Sequence, residues 1–155
     1  MTMIRKAEAR DLEAVNGLLR QVLAVHHKGR PDLFREKGTK YSGPELAQML
    51  GQADAPIFVL EEGGSVAGYL IGQMIKADGA AQEPVTTFYV DDLCVDEAAR
   101  GKGIGRKLME YARDYAAAQG CHNLTLHVWE GNPAAQAFYE SMGMKTQYTC
   151  LEWVL

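Results

Sequence analysis

A chain of 155 residues and 17.1 kDa suits one domain, which at this size buries roughly 68–70% of its unfolded surface and needs neither disulfide nor metal to hold a core. Hydrophobic residues make up 47% and charged residues 23%, a globular balance that excludes collagenous, coiled-coil and wholly disordered chains. With 16 basic against 20 acidic residues the net charge is -4, so no global basic field exists for nucleic acid or an anionic membrane, and any anion site must be local.

The elements read in chain order as follows. Residues 3–7 form a short strand, and residues 10–25 place Leu12, Val15, Leu18, Leu19, Val22 and Leu23 at helical spacing, with Asp11 as N-cap. Residues 26–42 are polar and broken by Gly29, Pro31 and Gly38, and 44–50 make a short helix with Pro44 in its first turn. Two apolar strands, 57–61 and 66–75, flank the hairpin signal Glu62-Gly63-Gly64-Ser65. Residues 88–95 (FYVDDLCV) are a strand interrupted by two adjacent carboxylates, Asp91 and Asp92. Strict alternation puts Asp91 on the face of Tyr89, Leu93 and Val95, with Asp92 opposite.

A helix follows from 104 to about 119, carrying Ile104, Leu108, Tyr111, Ala112 and Tyr115 on one stripe and Gly120 as its stop. Residues 124–128 are a strand, 133–142 a helix, and 144–154 a last strand or hairpin arm whose exposed edge is consistent with a homodimer. No internal repeat is present, so 1–155 reads as a single domain of α/β (α+β) class with a mixed sheet. Cys94, Cys121 and Cys150 form no CxxC pair and the four histidines lack i,i+4 spacing, so no metal is expected. Free thiols point to the reducing cytoplasm. Arg5, Lys6, Glu8 and Arg10 leave no apolar leader core, and no run reaches the length of a membrane span.

The segment Arg100-Gly101-Lys102-Gly103-Ile104-Gly105-Arg106 joins strand to helix. Backbone N–H groups at a helix start point outward and favour an anion, and glycines let it approach without a Cβ in the way. Arg100, Lys102, Arg106 and Lys107 add four cations and no acid. The spacing fits neither a Walker A loop nor a GxGxxG dinucleotide turn. By itself such a turn is equally a plain helix start.

Arg100-x-x-Gly103-x-Gly105 is followed by Asn132-x-x-Ala135-x-x-Phe138-Tyr139-x-x-x-Gly143-Met144. The ordered pair closely resembles the GNAT superfamily of acetyl-CoA-dependent N-acetyltransferases, with Met144 where that family usually has Phe. The resemblance spans about residues 4–150, with 88–120 and 124–144 as the acyl-CoA-binding core and 26–50 as the variable acceptor-side segment. It implies a mostly antiparallel sheet whose central strands 88–95 and 124–128 splay apart. It further implies acetyl-CoA as co-substrate, held by the backbone of Leu93, Cys94 and Val95, by the turn Arg100, Gly101, Lys102, Gly103, Ile104, Gly105 and Arg106, and by Asn132, Ala135 and Tyr139.

The same resemblance gives Tyr139 the role of acid toward the departing thiolate. A primary amine, mostly protonated at neutral pH, needs a proton acceptor before it attacks. His127, twelve residues before Tyr139, and Asp91, nine before Arg100, are the candidate bases; a water chain is the alternative. The alternative role of Asp91 and Asp92 is to recognise a cationic substrate, cap a bulge or accept a lysine. His26, His27, Arg30, Tyr41 and Glu45 fall on the expected acceptor rim, with Trp129 at its edge. Cys94 as a covalent nucleophile is the weaker mechanism, since no base motif accompanies it. The implied activity is acetyl transfer to a primary amine of a small molecule, protein or peptide. A non-catalytic acyl-CoA-binding or regulatory module is the alternative.

Overall fold

The computed structural model describes all of residues 1–155. Five strands, β1 (Thr2–Lys6), β2 (Ile57–Glu62), β3 (Ser65–Lys76), β4 (Thr86–Val95) and β5 (Asn123–Leu126), form one sheet in the order β1-β2-β3-β4-β5. The first four are antiparallel neighbours, and β5 lies parallel to β4. The helices are α1 (Leu12–Gly29), α2 (Gly43–Met49), α3 (Ile104–Ala118) and α4 (Pro133–Ser141). The sheet is thus mixed, as the residue pattern implies, and mostly antiparallel and flanked by helices, as the family resemblance implies.

Strand alternation sorts two cores. Val15, Leu18 and Leu19 of α1 and Leu46 of α2 close over Ile57, Val59, Tyr69, Ile71 and Cys94. On the other face Ile104, Leu108, Met109, Ala112 and Ala116 of α3 pack on Phe58, Leu60, Leu70, Phe88 and Val90, and α4 adds Phe138 and Tyr139 at the margin. Gly72 belongs to this second contact, because a Cβ there would stand 2.2 Å from Phe88 Cζ.

Three expectations need correction. Asp11 does not cap α1 with its side chain. Its carboxylate instead takes two hydrogen bonds from the Arg5 guanidinium, at 2.7 and 3.0 Å, and one from the Glu8 N–H at 2.7 Å. That set holds β1 to the turn 9–11 and offsets the burial of a carboxylate only 4% exposed. The fifth strand ends at Leu126, not Val128, which leaves His127 and Trp129 beyond the ladder. Residues 144–154 form no strand: from Lys145 on the segment is exposed and makes no backbone hydrogen bond.

Candidate active site

The two carboxylates of β4 sit on a β-bulge. Ile71 of β3 faces Asp92, but the next residue, Gly72, faces Val90, so Asp91 is the extra residue. One inserted residue reverses the alternation beyond it. Phe88 and Val90 therefore point to α3, whereas Cys94 points to α1, and Leu93 and Val95 pack toward α3. The expected opposition of Asp91 and Asp92, and the shared face of Asp91 with Leu93 and Val95, are both overturned. Asp91 and Asp92 both lie toward α1 and α2, within reach of Lys40.

Their environments differ. Lys40 Nζ lies 3.0 Å from Asp91 Oδ1, and the Tyr41 hydroxyl donates to Oδ2. Asp92 makes no ion pair and lies beside the buried Tyr69 hydroxyl, which has no partner at hydrogen-bond geometry. Burial raises the Asp92 carboxyl to about 6, with Lys40 opposing the rise and the neighbouring Asp91 charge adding to it. Asp91 is neutralised, while Asp92 is left to titrate near working pH.

His127 stands between two phenols, with Nδ1 at 3.2 Å from the Tyr89 hydroxyl and Nε2 at 3.1 Å from that of Tyr148. It is exposed at the rim. The segment 26–42 reaches the same rim: His26 stacks on Phe34, and Trp129 meets Phe34 edge-on at 5.5 Å and the Arg30 guanidinium at 5.9 Å. The sequence reading missed Lys40, Phe34 and Tyr148 as parts of this rim. Nothing in their spacing marks them, because the contacts join distant parts of the chain.

Pairing of β4 with β5 stops at Val90 and Leu126, yet β4 runs on to Val95. From Asp91 to Val95 the edge of β4 on the β5 side has no strand partner, so the two strands part there. Gly101 and Gly103 adopt φ values of 82° and 74°, which only glycine takes without strain, and α3 begins at Ile104. The N–H groups of residues 101–106 meet no acceptor within the protein; the first to do so is that of Lys107, bonded to the Gly103 carbonyl at 3.1 Å. Six successive free donors at a helix start fit a pyrophosphate.

Around the turn, Lys102 pairs with Glu62 at 3.3 Å and Arg106 with Glu110 at 3.5 Å, while Arg100 and Lys107 make no ion pair. Gly105 lies against Phe138 and Val95, where a Cβ would stand in ordinary contact at 3.5 and 3.7 Å, so the turn packs on β4 and α4. Asn132 caps α4, its Oδ1 accepting from Ala135 N–H at 3.2 Å, which leaves its amide NH2 free. The half-buried Tyr139 hydroxyl makes no hydrogen bond within the protein, and burial, helped by the Asp92 charge, pushes it up to about 12. Burial likewise pushes the Cys94 thiol up to about 12, which removes the thiolate a nucleophile would need.

The sequence model of the Acetyltransferase (GNAT) family matches residues 22–144. The chain belongs to the GNAT family. It is 28% identical over 142 residues to the uncharacterised N-acetyltransferase YhfO of Bacillus subtilis (strain 168), covering 90% of this chain and 87% of that one. A mutant of the BH1408 protein from Bacillus halodurans matches with TM-score 0.93 and 31% identity over 99% of both chains. The aminoglycoside N-acetyltransferase AAC(6')-Iy, solved with CoA, matches over 99% of this chain and 98% of its own with TM-score 0.72; at 15% identity it shows the fold alone. Acetyl transfer is the general chemistry of this GNAT protein.

Proposed function

We propose that the protein transfers an acetyl group from acetyl-CoA directly to a primary amine of a small molecule, protein or peptide. The observation that carries this reading is the continuity of two unpaired backbone surfaces, the β4 edge from Asp91 to Val95 and the N–H groups of 101–106. The first suits an extended chain of amides, and the second suits the pyrophosphate attached to it. Bound there, acetyl-CoA supplies an activated acetyl thioester.

The chain's own groups then divide the work. Leu93, Cys94 and Val95 hold the pantetheine arm through backbone N–H and C=O groups, and the amide NH2 of Asn132 adds a donor. A free N–H of β4 polarises the acyl carbonyl. Asp92, poised near 6 and without an ion-pair partner, accepts the proton of the ammonium so that the free amine attacks. Asp91, fixed by Lys40 and Tyr41, orients the acceptor side instead. His127, hydrogen-bonded on both ring nitrogens, passes protons to the rim. Tyr139, neutral at every working pH, donates to the departing sulfur as the carbon–sulfur bond breaks. Most of the rate gain comes from holding amine and thioester together.

A free-thiol assay over a panel of amines and peptides, with mass spectrometry of products, tests this. Amine-dependent thiol release with a gain of ~42 Da on the acceptor, one acetyl for one hydrogen, is expected; the gain identifies the acyl chain, and fragmentation of the product locates the acceptor atom. Saturable acetyl-CoA binding with no release across the panel would overturn the catalytic reading in favour of a binding module.

A further inference from the structure

Residues 30–42 join α1 to α2 without helix or strand, yet Lys40 within them is held from both sides. The Thr39 hydroxyl donates to the Tyr41 carbonyl at 2.7 Å, and the Tyr41 hydroxyl donates to Asp91 Oδ2. These bonds fix the chain around Lys40 against β4. The Lys40 ammonium there meets two acceptors of one residue, Asp91 Oδ1 at 3.0 Å and the Asp91 carbonyl at 3.2 Å. It also stands 5.8 Å from the centre of the Tyr41 ring. It is the one lysine side chain that bonds to β4.

Asp91 is also where β4 loses a neighbour: the ladder with β5 ends at Val90 and Leu126, and the open edge begins at the next residue. With the pyrophosphate on 101–106 and the pantetheine arm running back along Val95, Cys94 and Leu93, the acyl end reaches the level of Asp91 and Asp92. A primary amine already stands there, on a side chain 45% exposed that reaches a carboxylate 10% exposed. A lysine that only balanced Asp91 would need its carboxylate alone. This one also donates to the main-chain carbonyl at the parting of the strands.

We propose that Lys40 is an acetylation site of the protein itself, its Nζ taking the acetyl group from acetyl-CoA bound to the same chain when no external amine is present. The inference rests on the proposed function. Asp92, adjacent and without an ion-pair partner, takes one proton from the ammonium and releases it to water. The freed Nζ attacks the carbonyl carbon; the carbon–nitrogen bond forms, the carbon–sulfur bond breaks, and the sulfur takes the Tyr139 proton. Tyr139 regains a proton from the second that Nζ sheds. The sum is ammonium plus thioester to amide, free thiol and one proton. Holding donor and acceptor on one chain replaces an encounter. The amide carries no charge, so the modification leaves Asp91 without its cation.

Intact-mass spectrometry of the full chain incubated with acetyl-CoA and no amine, followed by peptide mapping, tests this. One gain of ~42 Da per chain is expected, on Lys40, at a rate independent of protein concentration. Lys40→Arg keeps a cation beside Asp91 but offers no amine, and should abolish the gain while acetyl-CoA binding, read by calorimetry, persists. Tyr139→Phe should slow the gain by ~100-fold, which uncatalysed acetylation by free thioester would not show. Acetyl-CoA binding without a gain would overturn the inference and leave the proposed function standing. So would a gain spread evenly over Lys28, Lys37 and Lys40, or a rate that rises with protein concentration. A chain that binds no acetyl-CoA would overturn both.

Discussion

Lys40 Nζ lies 3.0 Å from Asp91 Oδ1, and its charge extends to the adjacent Asp92, whose carboxyl it pulls down against the upward push of burial. One lysine from the segment between α1 and α2 thus neutralises one carboxylate and tunes the other. Removing it with Lys40→Met should let Asp92 titrate above its present value of about 6. The ascending limb of kcat/KM against pH should then move to higher pH, and Asp92→Asn should remove the limb. A limb that stays in place in both variants would take Asp92 out of the reaction.

Asp92 also leaves a mark on stability. Its folded value of about 6 lies above the ordinary 3.8, so the folded state binds the proton more tightly than the unfolded chain does. The contribution is fully present below about 3.8, is lost as pH rises to about 6, and is absent above. Asp92→Asn should therefore raise stability at pH 7–8 by ~2 kcal/mol and leave it unchanged near pH 4, read by urea titration at both pH values.

Asp11 runs in the opposite sense. The hydrogen bonds from Arg5, more than offsetting burial, hold its carboxyl below the ordinary value. Its contribution is present above about 3.8 and lost as pH falls through the depressed folded value. Asp11→Asn leaves the Arg5 guanidinium, itself 15% exposed, without its main partner and should cost ~3 kcal/mol at pH 7. A loss below ~1 kcal/mol would show the pair to be dispensable.

Gly72 pairs with Val90 at the edge of the bulge, and a Cβ there would meet three atoms of the Phe88 ring at 2.2 to 2.9 Å. Gly72→Ala should destabilise by ~1–3 kcal/mol through overpacking, measured as a fall in Tm. Gly72→Ala combined with Phe88→Leu should recover part of that loss, because the ring is what the methyl strikes.

Tyr139→Phe removes the hydroxyl without changing the packing beside Phe138, whose ring lies 5.1 Å away. A thiolate is already a fair leaving group, so turnover should fall by ~100-fold, the lower end for a general acid, while acetyl-CoA affinity is unchanged. Equal turnover would end the acid assignment.

Most of the fold was legible because it rests on local signals. Apolar periodicity marks α1 and α3, the Gly63-Gly64 pair marks the β2–β3 hairpin, and the glycines of 101–105 mark the start of α3. The adjacent carboxylates admitted a bulge, but which residue is the extra one was not legible, since a bulge is a mismatch of register between β3 and β4. That single residue decides which carboxylate is free. Likewise Phe34 and Lys40 sit in a segment without periodicity, and their partners Trp129 and Asp91 are distant in sequence. The strand or hairpin arm expected at 144–154 does not form, because residues of strand propensity still need a neighbour to pair with and these have none.

The central claim is that the β4 edge and the 101–106 amides together hold the acyl donor, and calorimetric titration with acetyl-CoA and CoA tests it most directly. The account predicts saturable binding at one site per chain, strongly weakened by Gly103→Val, which forces a branched side chain to φ 74° and misdirects the donors. Absence of binding to either ligand, or binding that Gly103→Val leaves untouched while the variant remains folded, would contradict it.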